Sequence, residues 1–248
     1  MCGRLVITEP DLTALVEPFH VQQHDVAEWQ PRYNLAPTQP APLITNEAER
    51  RVTLARFGLI PFWAKDAKVS HKLINARVEG VARSNAFKRS LSLRRGIIPV
   101  IGWLEWQKTE HGRMPLFIHD AQDTPLALAA LWERWRDPDG QVVQSFAVLT
   151  RPALGSLEAV HTRMPLTLHG DALDAWLDPE PRTPEQLADV LHAEPDIAHL
   201  VTRPVSKLAN SPNNDVPECL ADPETPPASR QLALFDTIAD AKPMRRTR

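Results

Sequence analysis

The chain of 248 residues carries 28 Lys and Arg against 31 Asp and Glu, a formal net charge of −3. No global basic excess marks a polyanion binder, so any nucleic-acid site must be a local patch. Apolar content of 43% and charged content of 24% are ordinary for a soluble globular protein, and the length is enough to bury a substantial core. Two cysteines, Cys2 and Cys219, cannot build a disulfide framework and lie too far apart for a metal knuckle. The amino terminus lacks an apolar signal core, and no apolar run is long enough to span a bilayer. The expectation is a cytoplasmic, monomeric protein with no membrane partner.

In chain order, "CGRLVI" predicts a strand. "TEPDLTALVEPF" predicts a helix capped by Thr8, with Asp11 closing a capping box and Leu12, Leu15, Val16 and Phe19 on one face. "PRYNLAPTQ" (Pro31–Gln39) reads as a polar loop framed by prolines, and "PLIT" and "RVTLARF" read as strands. "NARVEGVARSNAFKRSL" predicts helix in two pieces, broken near Ser84. Five apolar strands follow: "GIIPV", "GWLEWQK", "MPLFIH", "LALAALWE" and "SFAVLT". "GSLEAVH" and "DALDAWL" are short helices, "TPEQLADVLH" is a third with Thr183 as cap and Gln186 in the capping box, and "HLVTRPVS" is a last strand. Strands outnumber helices without a βαβ rhythm. This predicts an α+β fold of one domain over 1–220, mostly antiparallel twisted sheets in a barrel-like core with surrounding helices. The segment 221–248 lacks periodicity and reads as a flexible tail.

Familiar cofactor chemistry is absent: there is no GxGxxG, P-loop lysine, HExxH or CxxC. His20 and His24 have the i,i+4 spacing of a helical metal pair, but Pro18 and polar neighbours favour a solvated loop. No metal and no small-molecule cofactor is implied.

The unusual residue is Cys2. Once Met1 is removed it carries a thiol and a free α-amine, a 1,2-aminothiol. Four stretches accompany it: "PRYNLAPTQ", "INARVE" with Asn75 and Arg77, "IGWLEW" with Glu105 inside an apolar strand, and "VHTRMP" with His161 and Arg163. Singly, each has a plain structural explanation, such as Glu105 alternating outward to water.

Together, Cys2-Gly3-Arg4, "RYNLAPTQ", "FGLIPFW", "NARVE", "GWLEW", "VLT" and "HTRMP" resemble, in order and spacing, the SRAP family of SOS response-associated peptidases. The resemblance runs from Cys2 to "SPNND" (Ser211–Asp215). It departs from the common pattern at Phe57, Ile101, Gly80 and Thr162, where Trp, Asp, Thr and Asp are frequent. It implies a protein that crosslinks covalently to abasic sites in single-stranded DNA through Cys2, as a thiazolidine that shields the lesion. It also implies self-catalysed removal of Met1, AP-lyase side activity, and association with the nucleoid when bound to DNA. Cys2, Asn75, Glu105 and His161 are then the catalytic residues. Arg4, Asn34, Pro37, Trp63, Arg77, Trp106, Thr150 and Arg163 are the DNA contacts.

Two other classes would use part of the same residues, and the first leaves "HTRMP" and "GWLEW" without a role. An N-terminal-nucleophile amidohydrolase of the glutamine amidotransferase kind also begins Met-Cys-Gly and uses the Cys2 thiolate. A non-covalent module for single-stranded or modified DNA would need the arginines but not Cys2.

Overall fold

A computed structural model describes residues 2–223, apart from Gln22, Gln23, Asp25 and His111. Its first strand, β1 (Arg4–Ile7), leads into α1 (Leu12–Val16) and a 3₁₀ turn, Glu17–Phe19. Next come β2 (Arg32–Leu35), β3 (Pro40–Thr45), β4 (Val52–Phe57), β5 (Asn75–Arg77) and α2 (Lys88–Leu93). The long strands follow: β6 (Arg95–Val100), β7 (Gly102–Thr109), β8 (Gly112–Asp120), β9 (Leu126–Arg136) and β10 (Val142–Pro152). The chain continues through β11 (Arg163–Pro165), β12 (Thr167–Leu168), α3 (Gly170–Trp176), α4 (Ala188–His192) and β13 (Leu200–Pro204).

Two sheets share the core. One is antiparallel throughout, in the order β13-β8-β7-β1-β2. In the other, β10, β4, β3, β6 and β9 each pair with the next, and β9 pairs back to β10, closing a barrel of five strands. Closure leaves no open edge on those strands. The seam between β4 and β10 is parallel. One continuous apolar cluster runs from Cys2 to Cys219 and includes Trp103, Trp132 and Trp176. The predicted α+β architecture is therefore present.

Departures from the expected elements have identifiable causes. The cap of α1 is Asp11, not Thr8: its carboxylate accepts from the Thr13 N–H, and the helical turn is short. Leu12, Leu15, Val16 and Phe19 are buried as the periodicity requires. Asn75–Arg77 is a strand rather than helix, because parallel pairing to Val148–Thr150 satisfies its backbone. The helical pieces after it shrink to a 3₁₀ turn, Val81–Arg83, and to α2 beyond Ser84. Arg32–Leu35, expected in a loop, is an outer strand of the antiparallel sheet. The Thr183–Gln186 capping box forms reciprocally, although the regular helix begins only at Ala188. Most of the expected tail lies outside the described residues.

Two polar clamps hold the frame. Arg95, fully buried, donates to the carbonyls of Leu91, Ser92, Trp176, Asp178 and Glu180, and burial lowers its guanidinium to about 10. Asp215 caps the other sheet. Its Oδ1 accepts from the N–H groups of Tyr33 at 2.6 Å and Asn34 at 2.8 Å, and its Oδ2 accepts from Arg32 Nε at 2.5 Å. Removing it strands two backbone donors, so Asp215→Ala should cost about 2–4 kcal/mol in a urea unfolding titration. A change within a few tenths of a kcal/mol would show that β2 does not depend on this cap.

Candidate active site

The register of the antiparallel sheet sets the site. Arg4 lies opposite Leu104, which brings the start of the chain beside Glu105. Cys2 is completely buried, unusual for a residue so near a terminus. Burial is the main force pushing its thiol pKa up, and the negative charge of Glu105 adds to it. Glu105 is 4% exposed, which excludes an outward, solvated carboxylate. Burial raises its pKa, against the stabilising pull of His161 on the carboxylate.

Asn75 enters from β5. Its Nδ2 donates to the Cys2 carbonyl at 3.1 Å, while its buried Oδ1 has no hydrogen-bond partner among the described residues. His161 sits on a turn after the 3₁₀ segment Gly155–Ala159, tied back through its N–H to the Leu157 carbonyl. Its Nδ1 accepts from the Arg163 N–H at 2.9 Å, which places the neutral imidazole's proton on Nε2. Thr162, between His161 and Arg163, is exposed. A cavity of about 420 Å³ opens here, lined by Glu105, Trp106, Lys108, Arg113, His161 and Thr162 among others. The structure thus gathers Cys2, Asn75, Glu105 and His161 into one place. Such a cluster can hold an amine and a thiol, move protons between a carboxyl and an imidazole, and exclude bulk water.

The expected DNA contacts fall into distinct groups. Arg77 is exposed. Arg163 is engaged: its two Nη groups donate to Glu79 at 2.5 and 3.0 Å, and one also donates to the Thr150 carbonyl at 2.5 Å. Thr150 is fully buried and in this arrangement fixes Arg163 through its carbonyl. Arg4 donates to Asn34 Oδ1 at 2.8 Å and the Ala209 carbonyl at 3.1 Å, with its guanidinium 5.4 Å from the Trp106 ring centre. Asn34, expected at the surface, is fully buried, and its amide donates to the carbonyls of Ala209, Ser211 and Asn214. It is a structural tie rather than an open contact, because every one of those partners is protein. Trp106 donates to Asn210 Oδ1 at 2.7 Å. Trp63 is 54% exposed, on a turn anchored by Trp135 Nε1 bonding to the Ala64 carbonyl. Pro37 is partly exposed beside Thr38, whose φ of 78° marks a tight loop.

Sequence reading left Glu79 and Asp215 without roles, although both lie in quoted motifs. Their partners, Arg163 and the β2 backbone, are 84 and more than 180 residues away in the chain. No local pattern could have named them.

The chain is 33% identical over 223 residues to the abasic site processing protein YoqW of Bacillus subtilis, covering 89% of this chain and 99% of that protein. It is 26% identical over 240 residues to the abasic site processing protein HMCES of Mus musculus, covering 81% and 67% respectively. Its fold resembles a crystal structure of a protein from Bacteroides thetaiotaomicron with a TM-score of 0.75 at 20% identity, covering 88% and 99% of the two chains. Residues 1–212 match the family described as SOS response associated peptidase (SRAP), and the chain belongs to that family.

Proposed function

We propose that this protein processes abasic sites in single-stranded DNA by closing a thiazolidine on Cys2 after Met1 is removed. The observation that carries the reading is the burial of Cys2 beside Glu105, with Asn75 bonded to the Cys2 carbonyl and His161 close enough to favour the charged form of Glu105. Relatives named abasic site processing proteins match nearly the whole folded part.

The chemistry follows from the groups present. An abasic sugar equilibrates with a ring-opened aldehyde. Opening needs a proton delivered to the ring oxygen, and a carboxyl whose pKa burial has raised keeps its proton to higher pH than an exposed one. The free α-amine of Cys2 attacks the aldehyde carbon and expels water to give an imine, which suits an α-amine because its ordinary pKa of about 8 lies well below that of lysine. The thiol then adds to the imine carbon. A C–S bond forms, the thiol proton leaves through Glu105, and the former imine nitrogen takes up a proton. The net change is aldehyde plus aminothiol to thiazolidine plus water. Asn75 Oδ1 is available to accept from the α-amine and fix its approach. His161 Nε2–H serves the sugar hydroxyl. Thiol capture also removes the imine that would otherwise undergo β-elimination, so strand cleavage is a side reaction. The same site serves hydrolysis of the Met1–Cys2 peptide bond.

Purified protein should lack Met1 by intact mass spectrometry, and should leave a boiling-resistant band with an abasic single-stranded oligonucleotide. Cys2→Ala abolishes the band, whereas Cys219→Ala keeps it. Cys2→Ser retains the amine but closes the ring poorly, so its adduct requires borohydride and the strand is nicked. A band with Cys2→Ala, or active protein that retains Met1, removes the aminothiol from the mechanism.

Glu105→Gln should slow crosslinking by about 10²–10⁴-fold while leaving non-covalent affinity near normal. The sign of the pH effect follows from the raised carboxyl: its acid form persists below the shifted pKa and is lost as pH rises through it. The native rate should therefore show a descending limb that the Gln variant lacks. An unchanged rate and profile would take Glu105 out of proton transfer.

Exposed Arg77 is read as a phosphate contact. Arg77→Ala should weaken binding most at low salt and flatten the log–log salt slope by about 0.7. An unchanged slope would leave Arg77 without a phosphate.

A further inference from the structure

The Arg163–Glu79 pair is unequal. Arg163 is the fixed half: its side chain is 13% exposed, its Nη2 is bound to the Thr150 carbonyl, and its Nε is buried with no partner among the described residues. Glu79 is the removable half, 48% exposed at the side chain. It precedes Gly80, around which a Cβ would meet nothing within 4 Å, so the space beside it is open. The carboxylate engages both terminal nitrogens of the guanidinium, the same fork with which arginine grips a phosphate. Hydrogen bonds from Arg163, with a further contribution from nearby Arg77, hold the Glu79 carboxyl below the usual carboxylate range, so it stays charged at neutral pH. The Arg163 backbone N–H donates to Nδ1 of the His161 ring, so this fork borders the catalytic cluster.

We propose that Glu79 is a displaceable stand-in for a DNA phosphate. In the free protein it closes the Arg163 fork, and on binding it swings into solvent while a phosphodiester oxygen pair takes its place. Glu79 thereby sets how strongly any single strand is held before the lesion is captured. The inference rests on the reading that the chain binds single-stranded DNA.

The test is fluorescence anisotropy with an undamaged single-stranded oligonucleotide across a salt series. The proteins are native, Glu79→Gln and Glu79→Asp, each with and without Arg163→Ala. Glu79→Gln should tighten binding about two- to fivefold, the equivalent of one exposed ion pair released. It should also steepen the salt slope by up to about 0.7. Glu79→Asp keeps the charge but is too short to close both contacts, and should tighten binding as well. Both gains should vanish with Arg163→Ala. Because Glu79 is exposed, both variants should melt near the native temperature. Weaker or unchanged binding in Glu79→Gln overturns the proposal and makes Glu79 a positioning residue or a bystander. An equal gain in the Arg163→Ala background also overturns it, since net charge alone would then be responsible. A native protein that binds no single strand overturns both this proposal and the functional reading. One that binds, with no gain in the variants, overturns this proposal alone.

Discussion

The placement of β1 between β7 and β2 is the constraint on which the site depends. Chain ends ordinarily fray, because ordering them costs backbone entropy that few contacts offset. Here the first strand is interior to its sheet, with ladder hydrogen bonds on both sides and Leu5, Val6 and Ile7 fully buried. The second residue of the chain is therefore held as firmly as a core residue. The clamps around it serve the same end. Asp215 caps the β2 backbone, and Asn34 and Arg4 bind the segment around Ala209 that closes over the sheet.

Burial then determines the electrostatics. A thiol and a carboxyl placed together away from water each favour the protonated form, and the charge of Glu105 further opposes ionisation of Cys2. In the resting state this keeps the thiol from becoming a reactive thiolate. His161 opposes the shift on Glu105 by stabilising its charged form.

The arginines divide by what already holds them. Arg4 is tied inward, Arg163 is fixed by Thr150 and closed by Glu79, and Arg77 projects into solvent. In a chain of net charge −3, one of these three cations is thus closed by a carboxylate of the protein's own.

Much of this was legible in the chain itself. Alternating and continuous apolar runs located the long strands, the Thr183–Gln186 spacing located its capping box, and the ordered motifs located the family. An acid between Leu104 and Trp106 stood out inside an apolar strand. What local pattern left open was which way Glu105 faced, since alternation allows either side of a strand and only pairing with β1 and packing of His161 decide it. The same limit misread Asn75–Arg77 as helix and Asn34 as surface, because a parallel partner at Val148–Thr150 and three distant carbonyls override local propensity. The sequence by itself determined the chemical inventory: an aminothiol precursor, an acid, an imidazole, an amide and arginines. Tertiary structure alone decided which of them meet, because contacts between residues far apart in the chain arise from sheet register and barrel closure.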